Sequence, residues 1–375
     1  FAPSVIACLS GIDQNRLISP IVKYLYTNFH TKLELYKSLK KISSDFMFSF
    51  MDIASAYEAA LEFQQTCKTS LKQIYTEQKD QKDRMNVVLL GRPYTVLSKT
   101  MNNNIPSLFE NLGVNTFFQD MIDFSDHDFA PIDPLLREIH WKYVSRILKT
   151  AYYAASSENL YPVYISSFKC SPDAFGIEYF KQIMEKFNKP YLVLELDEHD
   201  SSVGYETRIE AAVRAFENHR DAEKNKAGKI PDISSLSPRF LSTAENKTII
   251  FPNWDAYTGS LLVSILKSEG YQAFLMEETA QTLKKSILTN TGQCIPLNAV
   301  AAGFISTVEN HGLNPAECAL WLNPSEIACN IKMYPYHIQK ILEKNGNGFE
   351  KAHIYKGELS LFDISFKAST NAYFA

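Results

Sequence analysis

The hydrophobic pattern of the chain changes at Asn86-Val87-Val88-Leu89-Leu90-Gly91, a short apolar run that ends at a glycine. Such a run is typical of a strand that is buried on both faces of a parallel sheet. Similar runs recur further along the chain, and helical patterns separate or follow them. The predicted strands are 114–118, 162–167 and 190–195, and the predicted helices are 134–155, 173–187 and 205–219. This alternation predicts right-handed βαβ units on a parallel sheet.

A second α/β unit is predicted from residue 247 onward, and a helical segment precedes the first. The second unit has predicted strands at 247–252, 271–275 and 318–323, with predicted helices at 257–269 and 295–311. We therefore predict an α/β fold with two tandem open parallel-sheet units, Rossmann-like or flavodoxin-like. Its parts are a helical N-terminal segment (1–84), a first α/β unit (85–225), a polar linker (226–246) and a second α/β unit (247–375). No internal repeat of the sequence is strong enough to name.

Composition restricts the classes of function. The 375 residues carry a net charge of -4, so no concentrated basic face points to a nucleic-acid partner. No apolar stretch approaches the roughly 20 residues that cross a bilayer, and no membrane association is expected. Six cysteines in so long a chain do not indicate a disulfide framework, so we expect a reducing cytoplasm. The chain starts at Phe1, and we expect a piece of a longer or processed protein.

Three cysteines lie in loops that follow strand-like runs. These are Cys170, Cys294 and Cys329. Loops at the carboxyl ends of parallel strands line the ligand crevice, so thiols that meet there can hold a metal or an iron–sulfur cluster. No close Cys-x-x-Cys spacing occurs, so such a site must be built from distant segments. The alternative for Cys170 is a half-buried thiol without a function, and Cys67 and Cys318 are predicted to be core thiols.

A helix start follows Cys170, in Cys170-Ser171-Pro172-Asp173. Asp173 is predicted to cap this helix, with a proline in its first turn. The positive end of the helix is expected to lower the pKa of the Cys170 thiol and favour the thiolate.

The first strand runs directly into Gly91-Arg92-Pro93-Tyr94. An arginine at such a turn presents a planar fork of donors to a carboxylate or a phosphate. The alternative is a turn whose arginine pairs locally. No P-loop and no Gly-x-Gly-x-x-Gly fingerprint occurs, so no nucleotide-hydrolysing apparatus of that kind is predicted.

The strand at 190–195 runs into an acidic loop that holds Glu195, Asp197 and His199, and Arg208 follows on a helix. Carboxylate, histidine and arginine together can orient a substrate, transfer protons or support a metal site. A structural ion-pair network of Glu195, Asp197 and Arg208 fits the same residues.

Several of these segments together resemble one family. They are similar to the carboxyl-terminal region of 2-hydroxyacyl-CoA dehydratase activators, also called CoA-substrate-specific enzyme activases. The most specific segments are Phe168-Lys169-Cys170-Ser171-Pro172-Asp173-Ala174-Phe175 and Leu194-Glu195-Leu196-Asp197-Glu198-His199. Weaker matches are Val88–Tyr94, Asn159–Tyr164 and Gly292–Pro296, and the resemblance covers most of the chain from Asn86 onward. Around Cys329 the chain keeps only the cysteine and Tyr334 of the family's usual Gly-Pro-Cys-Arg-Phe-Gly-Gln-Tyr.

The resemblance implies an iron–sulfur cluster, [4Fe-4S] or related, with Cys170, Cys294 and Cys329 as ligands. It further implies an ATPase activase domain, absent from these 375 residues, and a dehydratase subunit as partners, with acyl-CoA as a ligand. On this basis we expect an iron–sulfur-dependent electron-transfer component of an acyl-CoA dehydratase activase-type system. Glu195 and His199 are then the expected catalytic groups, and Arg92, Tyr94 and Asp173 the expected cofactor-binding groups. The alternative is a non-catalytic scaffold or partner-docking domain that has lost its cluster.

Overall fold

A computed structural model describes most of the chain and divides it into two compact units, Phe1–Asp80 and Gln81–Ala375. The described residues are 17–22, 27–42, 47–81, 84–167, 170–197, 202–223, 231, 233, 240–241, 246–289, 294–323, 330–358 and 360–374. No helix in this described part combines the length and the apolar character that crossing a bilayer requires.

The first unit is built from two helices, α1 (Asn28–Ile42) and α2 (Phe50–Gln78). A capping box starts α2, because the Ser49 side chain accepts from the Asp52 amide while Asp52 accepts from the Ser49 amide. Lys32 of α1 pairs with Glu58 of α2. The predicted helical N-terminal segment is confirmed. Cys67 was expected in the core, but it is exposed on α2, because the apolar spacing of this helix does not produce a buried stripe at that position.

The second unit contains a first half, Asn86–Glu223, in which helices alternate with a four-stranded parallel sheet. Its elements are β1 (Asn86–Gly91), α3 (Pro93–Val96), α4 (Ile105–Asn111), β2 (Asn115–Phe118), α5 (Asp133–Glu138), α6 (Lys142–Ser156), β3 (Leu160–Ser167), α7 (Ser171–Lys186), β4 (Leu192–Leu196) and α8 (Ser202–Glu223). The strand order is β2-β1-β3-β4, and every pair is parallel. All six residues of β1 are buried, as their continuous apolar character predicts.

The second half, Phe240–Phe374, holds a five-stranded parallel sheet. Its elements are β5 (Phe240–Leu241), β6 (Thr248–Phe251), α9 (Ala256–Ser268), β7 (Ala273–Leu275), α10 (Ala280–Thr289), α11 (Ile295–Asn310), β8 (Cys318–Leu322), α12 (Tyr334–Asn345), β9 (His353–Lys356) and α13 (Phe366–Phe374). The strand order is β5-β9-β8-β6-β7. The predicted α/β class with two open parallel sheets is confirmed.

The two halves have the same topology, which the sequence did not reveal. Without β5, the order of the second sheet is β7-β6-β8-β9, which are the second, first, third and fourth of its remaining strands along the chain. The order of the first sheet, β2-β1-β3-β4, is the same. Both halves also cross from the second strand to the third through two consecutive helices, α5 and α6 or α10 and α11. The chain therefore repeats one βα arrangement without a recognisable repeat in its sequence.

Two details differ from the predicted elements. The helix predicted at 134–155 is interrupted between α5 and α6, because Ile139 and Trp141 adopt extended backbone angles and Ile139 is buried. The predicted linker at 226–246 contains β5, which pairs in parallel with β9 at the edge of the second sheet. Cys318 is buried in β8, as predicted. The four-part division of the chain stays a prediction.

Helix α7 of the first half packs against α12 of the second half. The Phe175 ring lies edge-on to His337, with centroids 4.6 Å apart, and is parallel to the Tyr334 ring at 6.4 Å. The ring of Tyr179, which lies on α7 like Phe175, also contacts the His337 ring, with centroids 5.0 Å apart. Lys344 Nζ lies 2.9 Å from Glu178 Oε1 at the rim of this contact. A buried aromatic layer, flanked by the Lys344–Glu178 ion pair, therefore joins the two halves.

His337 makes this contact sensitive to acid. Burial lowers the pKa of His337 from its ordinary value of 6.5 to about 3, with Glu178 opposing this shift and Lys344 adding to it. Because the folded chain excludes a proton that the unfolded chain accepts, stability decreases as the pH falls from about 6.5 toward about 3. The slope from this one group is at most about 1.4 kcal/mol per pH unit.

We expect His337→Phe, which keeps the ring and removes the titration, to flatten the loss of stability below pH 6.5. Urea unfolding at several pH values measures this slope. His311→Gln is the matched control, because His311 is an exposed histidine of the same half. If the dependence of the unfolding free energy on pH is unchanged in His337→Phe, His337 does not cause the loss of stability in acid.

Candidate functional site

The carboxyl ends of β1 and β3 mark the switch point of the first sheet, where the chain leaves neighbouring strands in opposite directions. Ligands of open α/β folds bind in the crevice at such a point. Arg92 follows β1 directly, and Cys170 occupies the N-cap of α7 after β3. The fold therefore brings together two residues that are 78 positions apart in the sequence.

Gly91 and Gln119 fix the direction in which the chain leaves β1. Gly91 has φ +153°, and a Cβ placed on it would lie 2.3 Å from the carbonyl oxygen of Ile165 in β3. The Gln119 side chain accepts from the Gly91 amide at 3.2 Å and donates to the Gly91 carbonyl at 2.7 Å. Glycine is required here because the two strand backbones approach so closely.

Arg92 and Asp173 form a buried ion pair that joins β1 to α7. Arg92 Nε lies 3.0 Å from Asp173 Oδ1, and the two side chains are 15% and 2% exposed. Ser166, near the end of β3, donates from Oγ to Asp173 Oδ2 at 3.2 Å. Arg92 Nη2 is buried without a hydrogen-bond partner, so one arm of the guanidinium has unused donor capacity. Tyr94 is 56% exposed beside this pair.

The charges of this group act on one another. Burial lowers the pKa of Arg92, but attraction to Asp173, Cys170 and Tyr94 outweighs it, so the pKa of the guanidinium is raised. Burial and the Asp173 carboxylate raise the pKa of the Cys170 thiol, and they outweigh hydrogen bonds from the Asp173 amide and Arg92. The predicted lowering of the Cys170 pKa is therefore wrong. Asp173 does not cap α7 either, because its carboxylate pairs with Arg92 and Ser166 while Cys170 takes the N-cap.

Cys294 reaches the same region from the second half. It occupies the N-cap of α11, and its Sγ lies 3.0 Å from the hydroxyl oxygen of Tyr334. The Tyr334 ring is parallel to Phe175, which lies in the first turns of α7. The segments that carry Cys170 and Cys294 are thus joined through Phe175 and Tyr334.

The segment after Cys329 also contacts the start of α7. Cys329 itself lies outside the described residues, but Asn330, the next residue, donates from Nδ2 to Ser171 Oγ at 2.5 Å. Ser171 in turn follows Cys170. Within the described residues, no group of three or more histidine, cysteine or carboxylate side chains can hold a single metal ion. Cys329 is not among these residues.

The acidic loop after β4 is only partly described, and His199 lies outside the described residues. Glu195 is exposed on β4, an edge strand of the first sheet, in register with Ser166. Arg208 donates to the carbonyl oxygen of Val193 at 2.7 Å, which anchors α8 to β4. The catalytic roles predicted for Glu195 and His199 stay predictions.

Three further residues of the site did not stand out in the sequence. Gln119 holds the Gly91 peptide, Ser166 orients Asp173, and Asn330 contacts Ser171. Ser166 had a signal, since it lies near the carboxyl end of an apolar strand where polar residues face the crevice. Gln119 and Asn330 had none, because each acts through a contact distant in sequence.

Comparison with known proteins gives the relationship of this chain. Residues 1–122 match the family described as CoA enzyme activase uncharacterised domain (DUF2229). The first third of the chain is a CoA enzyme activase-related domain. No curated protein and no solved structure matches the chain significantly. The match confirms a relationship to CoA enzyme activases for residues 1–122, and the resemblance predicted beyond residue 122 stays a prediction.

The activase-related domain contains one side of the site. It includes α1, α2, β1 and β2, and therefore Arg92, Tyr94 and Gln119. Cys170, Cys294 and Cys329 lie beyond its last matched residue.

The Arg92–Asp173 pair provides a test of this geometry. Removing one partner of a buried pair leaves an uncompensated charge, so we expect Arg92→Met to lower the free energy of unfolding by about 3 kcal/mol. Arg137→Met is the matched control, because the Arg137–Asp133 pair is exposed and is expected to contribute about 0.5 kcal/mol. The double variant Arg92→Met/Asp173→Asn should regain part of the loss. Equal losses in Arg92→Met and Arg137→Met, measured by urea unfolding, would contradict a buried pair.

Proposed function

We propose that this activase-related chain is an iron–sulfur-dependent electron-transfer component of an acyl-CoA dehydratase activase-type system. Cys170, Cys294 and Cys329 would hold the cluster. One observation carries the proposal, namely that contacts of Tyr334 with Cys294 and Phe175, and of Asn330 with Ser171, gather the three cysteine-bearing segments at the start of α7.

The donor chemistry fits an iron–sulfur cluster. Thiolates are the ligands that such clusters use, and Cys170 and Cys294 are both half-buried at the N-terminal ends of 16-residue helices. The positive ends of α7 and α11, together with Arg92, favour a group of net negative charge. A bound cluster would supply a one-electron redox centre. The chain's part is to hold it between the halves and to shield it from water.

Cys170 must release its proton to become a ligand. Metal binding to thiols displaces protons and makes affinity dependent on pH. The Arg92 guanidinium and the Asp173 amide, which already act on the thiol, would stabilise the thiolate. Asp173 would thus act by orienting Arg92, and Glu195 and His199 would handle protons.

An ATPase activase domain and a dehydratase subunit are the partners we propose, with acyl-CoA as the ligand of the Arg92 side of the site. The unpartnered Arg92 Nη2 supports an anionic ligand there, since a guanidinium binds phosphate or carboxylate through paired donors. The exposed Tyr94 ring lies beside it.

Acyl-CoA binding can be measured by thermal unfolding. A ligand at about 100 times its Kd stabilises the folded chain by about 2.7 kcal/mol. We expect acetyl-CoA to raise the unfolding temperature of the native chain and of Arg137→Gln, but not of Arg92→Gln. A rise of equal size in Arg92→Gln would exclude Arg92 as the anchor.

A scaffold without a cluster is the second candidate function. Two observations favour it. Among the described residues, no group of three histidine, cysteine or carboxylate side chains can hold a metal ion, and the pKa of the Cys170 thiol is raised. In that case the two halves would keep the fold and pair an activase with a dehydratase.

Iron and sulfide content after anaerobic reconstitution distinguishes the two candidates. We expect about four iron and four sulfide per native chain, as a [4Fe-4S] cluster requires. Each of Cys170→Ala, Cys294→Ala and Cys329→Ala should lose most of the iron, because each removes one thiolate. Cys67→Ala, which changes an exposed thiol on α2, is the control and should keep the native content. Near-zero iron in the native chain and in all variants would refute the cluster and favour the scaffold.

A further inference from the structure

The middle of helix α2 is exposed on every side. α2 has 29 residues, whereas α1 has 15 and contacts the start of α2. The rings of Phe29 and Phe50 lie 5.5 Å apart there, and Lys32 pairs with Glu58. After this pair, each residue from 59 to 70 is exposed. A short helical stretch without packing is marginal in water, because most helices in proteins are stabilised by the packing of one face. This part of α2 therefore lacks the stabilisation that a packed face provides.

The sequence of α2 also has the spacing of a coiled coil. In a coiled coil, positions a and d of a seven-residue repeat face the partner helix, and positions e and g flank them. We call the residues at a and d the α2 stripe. Its members are Ile53, Ala56, Ala60, Phe63, Cys67, Ser70 and Ile74. Phe63 is the largest of them and is 71% exposed. Phe50 and Glu58, which contact α1, fall at the outer positions e and f and leave the stripe free of α1.

The charged residues of α2 avoid this stripe. Those between Ile53 and Ile74 take the outer positions b, c and f, and they are Glu58, Glu62, Lys68 and Lys72. The flanking positions e and g hold uncharged residues, namely Tyr57, Ala59, Gln64, Thr66, Leu71 and Gln73. Charges at e and g set partner choice in coiled coils, and like charges there repel identical helices. Because these flanks carry no charge, the stripe is compatible with a second copy of itself, and nothing on it selects a charged partner.

We propose that the chain forms a homodimer in which the α2 stripe packs against the same stripe of a second copy. Such an interface uses one surface twice around a two-fold axis, as in most homodimers. The stripe spans 22 residues, about 33 Å of helix. Phe63 lies at its middle, so it meets its own counterpart whether the two helices run parallel or antiparallel. The inference goes beyond the proposed function and does not depend on iron, and α2 lies within the matched activase-related domain.

The mass of the full chain in solution tests this proposal. Sedimentation equilibrium should give twice the 42.6 kDa of a single chain. Phe63→Glu places two carboxylates opposite one another, and like charges that meet across an interface oppose binding. We therefore expect the dissociation constant of the dimer to rise about a hundredfold or more. An equimolar mixture of Phe63→Glu and Phe63→Lys should dimerise again, because a carboxylate then faces an ammonium.

Met51→Glu is the matched control. Met51 is an apolar residue of α2 with similar exposure, but it takes the outer position f, so the same substitution there should leave the dimer intact. Circular dichroism checks the helical fold of each variant, and Cys67→Glu serves if Phe63→Glu does not fold. A monomeric native chain, or a native-strength dimer in Phe63→Glu, would overturn the inference. A mixture of the Glu and Lys variants that stays monomeric would overturn it as well, because Phe63 would then not face its own counterpart.

Discussion

The packing of α7 against α12 is the contact on which the functional geometry depends. Phe175 lies between Trp141 of its own half and Tyr334 and His337 of the other half. Phe175 lies five residues after Cys170 in the sequence, and Tyr334 contacts Cys294. A shift of one helix along the other therefore moves Cys170 and Cys294 relative to one another. Large aromatic rings suit this task, since they bury much area and adopt few side-chain orientations.

A second constraint acts inside the first half. Gly91 allows β1 and β3 to approach more closely than a side chain would permit, and Gln119 occupies both polar groups of its peptide. Arg92 therefore leaves the strand in one fixed direction, toward Asp173 on α7. This arrangement adds a buried ion pair to the β1–β3 strand pairing that joins the matched residues to the cysteine-bearing part of the chain.

The sequence predicted what local pattern determines and missed what distant contacts determine. Strands such as Asn86–Gly91 and Cys318–Leu322 are continuous apolar runs, so their strand structure and their burial could be predicted from the sequence. The break at Ile139–Trp141 could not, because it coincides with tertiary packing, namely the burial of Ile139 and the contact of Trp141 with Phe175 in another helix. The pKa of Cys170 was predicted in the wrong direction for a similar reason. The helix end was visible in the sequence, whereas burial and the orientation of Asp173 were not.

Under the proposed function, the position of the cysteines would link cluster binding to the association of the halves. Cys170 belongs to the first half, and Cys294 belongs to the second. A cluster bound to both would stabilise the α7–α12 contact by its own binding free energy, because the separated halves cannot bind it equally well. A substitution that opens the contact between Phe175 and Tyr334 would then weaken cluster affinity in proportion to the fraction of chains that it opens, even though neither side chain would touch iron. If the proposed function holds, loss of the cluster and loosening of the interface are linked, and the aromatic layer contributes to iron binding together with the thiols.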